Sequence, residues 1–372
     1  MTERLFDSTQ SSFARDVWAS ASVLDSDALF VHAERHSTKP HFSMQTHMRY
    51  SDTSPLDLFE RFGPHLMSIE VRHSNDGGGG VARLRDAGRS LQGYVAIVPG
   101  SQPNVWLIAT DMKASSEEYD RLLTPMLDRL SGRLLAGWMS TRELEESLLR
   151  LEQEAGCALA PGRVASKGYD RSSIEFLRHG SMSAVLEELR QRSLHLQSVD
   201  FKLLAADGRE VLSGGVNKWY RVQYRGGASY AIRHYLLEAL ESRLVSHFAR
   251  VTVCHDTPTE SRLTFKFDRD ALMDRARHEK LVSVLSQMPR VSVCAFHINP
   301  YLHVSVADYT DGSSVNLLSD AADRLFVIPG PRCTSGSVSR ILDAIYNDFA
   351  PGMVAEEEDD KSEWAALMDT GR

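Results

Sequence analysis

Pairs of short apolar strands followed by an amphipathic helix recur along this chain, and that recurrence constrains the fold more than any other feature of the sequence. The pattern occurs over residues 94–135, 209–248, 251–288 and 291–349. Strands joined by turns rich in Gly, Pro and Asn favour antiparallel pairing, and the helices between them cover the resulting sheets. The sequence therefore predicts an α+β fold of mixed, mainly antiparallel sheets with recurring hairpin-helix units.

Glycine pairs and β-branched residues set the predicted strands of the second and third units. In the second unit we predict strands over 209–213 and 216–225, with the pair Gly214-Gly215 between them. In the third unit the run Val-Thr-Val-Cys at 251–254 has the composition of a strand. Each hairpin is predicted to precede a helix.

The length of the chain predicts more than one domain. Its 372 residues exceed what one ordinary hydrophobic core holds. A helix predicted from Thr141 to Glu154 is followed by Gly156 and Pro161, which are typical of a connection between domains. The predicted parts are an N-terminal α+β domain over 1–155, a C-terminal α+β domain over 165–353 and an acidic tail over 354–372.

The negative charge of the chain is concentrated at its C-terminus. Residues 355–372 carry seven acids and two basic residues, so five of the eight excess negative charges lie there and the rest of the chain has a net charge of -3. Such a composition predicts disorder. Within this tail Trp364, Leu367 and Met368 have the spacing of one helical turn, which would present an apolar face to a protein partner.

Composition also predicts the setting in which the protein works. No apolar run has the length of a membrane helix, and the first residues lack the features of a signal peptide. The four cysteines are far apart, and no Cys-x-x-Cys pair occurs. We therefore predict a cytoplasmic protein without membrane contact, structural metal or cofactor.

Basic and aromatic residues interleave in the segment Val-Asn-Lys-Trp-Tyr-Arg-Val-Gln-Tyr-Arg at 216–225, inside a stretch, 208–235, with a net charge of +4. Alternate side chains of a strand share one face. One face would then carry an indole beside two guanidinium groups, which stack on bases and neutralise phosphates. A solvent-exposed hairpin whose arginines pair with acids has the same pattern. The predicted ligand-binding residues are Asn217, Trp219, Arg221, Gln223 and Arg225.

A second candidate anion site follows the apolar strand predicted at 325–328. The loop after it leads into a helix, whose first N–H groups attract a phosphate or a carboxylate. Arg332 and Ser335 would complete that site. The alternative is an ordinary capped loop with Ser335 or Ser337 as the N-cap.

Acid and lysine pairs raise the possibility of a metal-dependent nuclease, in which carboxylates hold Mg²⁺ and a lysine orients the scissile phosphate. Asp111 and Lys113 end one predicted strand, and the similar pair Asp200 and Lys202 opens another. Glu70 or Asp86 would supply a further carboxylate. Under this hypothesis, and no other, Mg²⁺ would be a cofactor.

A histidine suggests a different hydrolase. The triplet Arg178-His179-Gly180 resembles the one in histidine phosphatases, where the histidine takes up a phosphoryl group. This resemblance implies His179 as a nucleophile.

Because no complete catalytic signature is present, we predict a non-catalytic binding subunit that contacts nucleic acid or another anionic partner within a larger assembly. Two alternatives remain open. The first is a phosphoester hydrolase, either a nuclease using Asp111 and Lys113 or a phosphatase using His179. The second is a protein-only adaptor that acts through the C-terminal tail.

Overall fold

The computed structural model describes residues 12–355 apart from short gaps, and these residues form two compact units, Met1–Phe248 and Ala249–Arg372. The gaps are at 40, 76–77, 131–132, 169–172, 178–180, 193, 257–262 and 331–332.

The first unit is built around a ten-stranded antiparallel sheet. The strand order is β2-β3-β4-β5-β1-β10-β9-β8-β6-β7. Five strands from the first part of the chain therefore lie beside five from the second part, and the pairing of β1 with β10 joins them. The strands are β1 Met44–Tyr50, β2 Ser68–His73, β3 Gly80–Asp86, β4 Leu91–Pro99, β5 Val105–Thr110, β6 Ala158–Gly168, β7 Ser173–Leu177, β8 Leu194–Leu204, β9 Glu210–Asn217 and β10 Arg221–Gly227.

Helices lie between and after these strands. Two of the helices, those that begin at Thr124 and Glu238, are preceded by π-helical turns at Tyr119–Leu123 and Ala231–Leu237. Helix α5, Thr141–Ala155, shows how local sequence signals fix the ends of an element. Ser140 and Glu143 form a capping box at its start, and Gly156 ends it in the left-handed conformation, with φ at 59°. The helices are α1 Ser12–Ala19, α2 Ser26–His36, α3 Pro55–Phe62, α4 Thr124–Arg129, α5 Thr141–Ala155, α6 Met182–Gln191 and α7 Glu238–Asp256.

The two faces of this sheet are covered to different extents. One hydrophobic cluster packs helices α1, α2, α5, α6 and α7 against one face of strands from both halves. A second cluster packs α3, α4 and the π-helical turn before α4 against the opposite face of β3, β4 and β5. The alternation along β4 shows that the faces differ, since Ala96 belongs to the first cluster and Val95 to the second. Among the side chains that the structure describes, the second cluster contains none from β6, β8, β9 or β10.

The second unit holds a six-stranded antiparallel sheet in the order β12-β13-β14-β15-β11-β16. Helix α8 spans Arg275–Ser286, and helix α9 spans Ser335–Ala344 and continues into a π-helical turn at Ile345–Phe349. The strands are β11 Leu263–Phe267, β12 Val291–His297, β13 Leu302–Asp308, β14 Ser313–Ala321, β15 Arg324–Pro329 and β16 Gly352–Ala355.

The predicted α+β class with antiparallel sheets is confirmed, but one predicted strand and one predicted turn were wrong. Residues 251–254 belong to helix α7, because extending an existing helix adds one hydrogen bond per residue and outweighs a weak β preference. The pair Gly214-Gly215 lies inside β9, and the turn falls at 218–220 instead. Tyr220 there has a φ of 55°, the left-handed conformation that closes three-residue hairpin loops.

The segment predicted to connect two domains, residues 155–165, contains the end of α5 and much of β6. Strand β6 pairs with β7 and β8 inside the ten-stranded sheet. The division between compact units falls between Phe248 and Ala249. The acidic tail beyond Ala355 lies outside the described residues. Among the described helices, none combines the length and apolar character needed to cross a membrane.

We predict that Gly214→Ala destabilises the first unit by about 1–3 kcal/mol. A Cβ atom at residue 214 would lie 2.6 Å from the carbonyl oxygen of Gln223 and 3.3 Å from Cδ1 of Ile232, so backbone would have to move. Urea unfolding followed by tryptophan fluorescence reports on this unit, because four of the five tryptophans lie in it.

Gly226→Ala on the neighbouring strand is the matched control. Its Cβ would meet its nearest neighbour, Cβ of Ser37, at an ordinary 3.5 Å. We expect this variant to be as stable as the wild type or slightly more stable, because alanine restricts the unfolded chain. Equal losses in both variants would show that the close approach at Gly214 is not the cause.

Candidate functional site

A cavity of about 630 Å³ opens on the sheet face of the first unit that the second cluster leaves uncovered. Its lining comes from β1, β10, β9, β8 and β6, together with the connecting segments 41–43 and 113–115. The volume lies within the range of small-molecule sites. The cavity is therefore located where the two halves of the sheet meet.

Strand register places the lining side chains in rows across the sheet. In one row Gln45 of β1 is opposite Gln223 of β10, which is opposite Gly215 of β9, which is opposite Asp200 of β8. In the next row Arg221, Asn217 and Ser198 follow one another in the same way. Because the side chains of a row project on the same face, residues far apart in sequence meet at one surface.

The cavity carries a surplus of positive charge. Among the described residues, four cationic side chains and one carboxylate, that of Asp200, line it. Asp200 Oδ2 accepts a hydrogen bond from Arg225 Nη2 at 2.7 Å, and both side chains are partly exposed. The cationic residues are Lys113, Arg163, Arg221 and Arg225.

Two of these cations have no ionic partner in the part of the unit that the structure describes. Lys113 and Arg221 form no ion pair with any residue that the structure describes. Their charges are thus available to a ligand, whereas the charge of Arg225 is partly balanced by Asp200. A cationic, partly enclosed surface of this kind attracts anions more strongly than isolated surface cations do.

Hydrogen bonds among the neutral lining residues hold the floor of the cavity in place. Gln223 donates from Nε2 to Ser43 Oγ at 2.6 Å and accepts from Arg225 Nη2 at 2.8 Å. Asn217 accepts at Oδ1 from the backbone N–H groups of Trp219 and Arg221, both at 3.1 Å. Asn217 is 5 % exposed, so its side chain shapes the turn between β9 and β10.

The absence of a side chain at Gly215 gives Asp200 its position. A Cβ atom at residue 215 would lie 2.6 Å from Asp200 Oδ1. The carboxyl group therefore occupies space above β9 that any other residue would fill, and from there it reaches Arg225 on β10. The glycine permits a close approach of side chain to backbone.

A buried histidine lies beside the cavity at the β1–β10 junction. His47 is 5 % exposed, pairs with Arg221 in strand register, and its Nε2 lies 2.8 Å from the hydroxyl oxygen of Tyr119. Burial, reinforced by the charges of Arg49 and Arg221, holds the pKa of the His47 imidazole well below its ordinary value. His47 is therefore neutral at pH 7 and adds no charge to this region.

The predicted ligand-binding residues lie in two places, the cavity and the turn between β9 and β10. Asn217, Arg221, Gln223 and Arg225 all line the cavity. Trp219 does not, because the chain turns at 218–220, and its indole is 39 % exposed with Lys218 Nζ 4.8 Å from the ring centroid. Grouping Trp219 with the arginines as one strand face was wrong, since alternation applies within a strand and not through a turn.

The two upstream acids of the nuclease hypothesis, Glu70 and Asp86, have partners of their own away from the cavity. Glu70 on β2 forms an ion pair with Arg83 on the neighbouring strand β3. Asp86 accepts from the backbone N–H of Gly88 at 3.0 Å in the turn after β3. Glu70, Asp86 and Asp111 do not line the cavity, whereas Lys113 does.

In the second unit, the start of helix α9 is occupied by the protein's own carboxylates. The N-cap is Thr334, whose hydroxyl accepts from Ser337 N and donates to Asp311. Ser337 Oγ donates to Asp308 Oδ2 at 2.7 Å, and Arg340 pairs with the same carboxylate. Ser335, predicted to bind an anion there, is the first residue of the helix. The positive end of the helix already has internal anionic partners.

Burial acts to raise the pKa of the Asp308 carboxyl, but hydrogen bonds from Ser337, the Thr310 N–H and Arg340 outweigh it and lower the pKa below its ordinary value of 3.8. The pKa of the Asp311 carboxyl is also lowered, because the effect of burial is outweighed by hydrogen bonds from Thr334 and Ser313. Both groups are therefore ionised near neutral pH.

Several predicted residues lie outside the described part of the chain. They are His179, Arg332, Trp364, Leu367 and Met368.

One group of surface side chains in the first unit has the composition of a metal site. The ligand atoms of Asp57, Glu60 and His73 lie within 4.8 Å of one another, and all three residues are exposed. His73 Nε2 already lies 3.1 Å from Glu60 Oε1. Exposed groups of this kind are common without a metal, so the arrangement carries no assignment.

Three polar or charged cavity residues, Gln45, Arg163 and Asp200, are among those that the sequence did not predict as part of this site. Gln45 lies on β1, which has no strong strand signal, and Arg163 lies in the segment read as a connection between domains. Asp200 was recognised as part of an acid-lysine pair, but Lys202 pairs with Glu210 at 2.7 Å and does not line the cavity. Only the pairing of β8, β9 and β10 brings Asp200 to Arg225.

No protein-family model matches this sequence, and a search of curated proteins finds no match.

We predict that Asp308→Asn lowers the unfolding free energy of the second unit by about 2 kcal/mol at neutral pH, the value of hydrogen bonds to a charged group. Because the folded-state pKa of Asp308 is depressed, its contribution is fully present above the unfolded value of 3.8 and is lost as the pH falls through the folded value. Differential scanning calorimetry over acidic and neutral pH measures the difference between variant and wild type.

Asp320→Asn is the control for this measurement, because Asp320 forms an exposed ion pair with Arg324 at 3.1 Å. We expect a change below about 1 kcal/mol. A difference between wild type and Asp308→Asn that grows on acidification would contradict the assigned direction of the pKa shift.

Proposed function

We propose that the first unit binds a segment of nucleic acid through the cavity at the junction of its two half-sheets. The observation that carries this proposal is the surplus of cationic side chains in a cavity of a chain whose net charge is -8. A cluster of positive charge in a chain whose net charge is negative indicates that this region binds an anionic ligand.

The distribution of the cations favours an extended ligand over a single small anion. Arg221 and Arg225 lie four residues apart on β10, a distance of about 13 Å along a strand. Arg163 lies on β6, three strands away from β10, which is about 14 Å across the sheet. One phosphate does not reach across such distances, whereas a chain of phosphates does.

The character of the lining supports contacts to the phosphate backbone more than readout of bases. The row positions on β8, β9 and β10 carry polar and charged side chains without aromatic rings. Among the described lining residues, His41 and Phe42 are the aromatic ones, and Phe42 already packs against Phe13 with ring centroids 5.3 Å apart. Phosphate contacts position a ligand without selecting its sequence.

The arrangement supports binding over hydrolysis. A metal-dependent nuclease needs several carboxylates near the lysine. Asp200 is the carboxylate that shares the cavity with Lys113, and it is paired with Arg225. The lining thus offers cations for holding a phosphate chain but not the cluster of acids that the nuclease hypothesis requires.

Fluorescence anisotropy of a labelled single strand of mixed sequence, titrated with the full-length protein, tests the proposal. We expect affinity to fall as salt rises from about 50 to 200 mM, with a slope of log K against log salt between about -2 and -3, as three or four phosphate contacts predict. Arg221→Gln and Arg163→Gln are each expected to reduce the magnitude of the slope by about 0.7.

Arg209→Gln is the matched control, because Arg209 is exposed in the turn before β9 and its nearest carboxylate, that of Asp207, lies at 3.9 Å. It makes the same chemical change outside the cavity, so affinity and slope should stay close to the wild-type values. Absent or salt-independent binding, or an equal loss in all three variants, would overturn the proposal.

The same strands incubated with the protein and Mg²⁺ or Mn²⁺ test the hydrolase alternative. We expect them to remain intact on a denaturing gel, because Glu70, Asp86 and Asp111 do not line the cavity with Lys113. Metal-dependent cleavage that disappears in Lys113→Ala would replace the binding proposal with a nuclease.

A further inference from the structure

Two hydrogen-bond acceptors of cavity-lining residues, Gln45 Oε1 and Asp200 Oδ1, have no partner among the residues that the structure describes. Asp200 uses Oδ2 to bind Arg225, and its Oδ1 forms no hydrogen bond with the described residues. Gln45 is 6 % exposed, and its Oε1 is buried without a hydrogen-bond partner in the described structure. Its Nε2 donates to the carbonyl oxygen of Met112 at 3.5 Å. A ligand made of phosphates alone satisfies neither acceptor.

The two acceptors lie at opposite ends of one row across the cavity floor. Between them are Gln223, which hydrogen-bonds to Ser43 and Arg225, and Gly215, which has no side chain. The row spans three strand spacings, from β1 to β8, or about 14 Å. The rise of a stacked strand is about 3.4 Å per nucleotide, so a stacked strand that places one sugar at each acceptor has those sugars about four nucleotides apart.

We infer that the cavity selects a ribonucleic acid strand over a deoxyribonucleic acid strand, because the ligand must present hydrogen-bond donors beside its phosphates. The inference rests on the proposed function and names the chemical class of the ligand. The 2′-hydroxyl of ribose supplies such a donor at each nucleotide, and deoxyribose does not. Asp200 Oδ1 accepts a hydrogen bond from this hydroxyl, near the cationic side chains that hold the adjoining phosphate.

Asp200 explains how a carboxylate fits in a site for anions. It weakens binding of every phosphate chain by repulsion, but a hydroxyl donor recovers a charge-assisted hydrogen bond from the ribose strand alone. A site with a polar group built for a hydroxyl discriminates against the ligand that lacks it, since the polar group is then left without a partner. The carboxylate thus adds selectivity at the cost of affinity.

The test compares two labelled single strands of the same base sequence, one of ribose and one of deoxyribose, both with uracil in place of thymine, so that the sugar is the sole difference. With the wild-type protein we expect the ribose strand to bind about tenfold more tightly, the factor that one charge-assisted hydrogen bond supplies. Asp200→Ala removes both the repulsion and the acceptor, so the deoxyribose strand should bind more tightly, the ribose strand should gain less, and their affinity ratio should fall towards one.

Glu210→Gln is the matched control. Glu210 begins β9 and pairs with Lys202 at 2.7 Å outside the cavity. Its substitution changes the net charge of the unit as much as Asp200→Ala does, but it leaves the row of residues from Gln45 to Asp200 unchanged. The affinity ratio should remain about tenfold. The ratio isolates the hydroxyl contact because a change in overall electrostatics acts alike on both strands.

The outcomes separate this inference from the proposal on which it rests. If neither strand binds, the proposed function fails. If both bind with the expected salt dependence but equally tightly, or if Asp200→Ala leaves the ratio unchanged, the proposed function stands and the selectivity for ribose is wrong. If adenosine monophosphate displaces the ribose strand as effectively as an unlabelled strand does, a free ribonucleotide and not a polymer is the ligand.

Discussion

The backbone hydrogen bonds between β1 and β10 are the interaction on which the candidate site depends. They join two five-stranded halves into one sheet and bring Gln45 opposite Gln223, although 178 residues separate the two in the sequence. Helices cover one face across both halves, whereas the second hydrophobic cluster covers the other face over β3, β4 and β5. The cavity lies where that second covering stops. Polar and charged side chains at this junction remain accessible because neither hydrophobic cluster of the described residues covers them on this face.

The balance of charges within the cavity follows from one small residue. Gly215 leaves space for Asp200, and Asp200 in turn holds Arg225. The carboxylate reduces the positive charge but leaves Lys113 and Arg221 without ion-pair partners among the described residues. Helix α9 in the second unit shows the opposite arrangement, in which Asp308 and Asp311 occupy the anion-attracting end. Similar local chemistry therefore gives an available site in one unit and an internally satisfied one in the other.

Local sequence signals predicted individual elements well where those signals were strong. The helix Thr141–Ala155 begins and ends where its capping box and Gly156 indicate, and strands β4 and β5 lie where their apolar runs predict. Alternation correctly grouped Arg221, Gln223 and Arg225 on one face. It failed for Trp219, because the position of the hairpin turn depends on which residues of β9 and β10 pair. The predicted strand at 251–254 was wrong because the preceding helix continues through these residues.

The sequence by itself determined the α+β class, the antiparallel hairpins and the local concentration of arginine in the segment that forms β9 and β10. These properties arise from interactions between residues close in the chain, such as caps, turns and side-chain alternation. Tertiary structure alone decided that Gln45, Lys113, Arg163 and Asp200 share a cavity with that segment, and that Trp219 does not. The reason is that strand order and register depend on long-range pairing, for which sequence periodicity gives the face of each residue but not its neighbour.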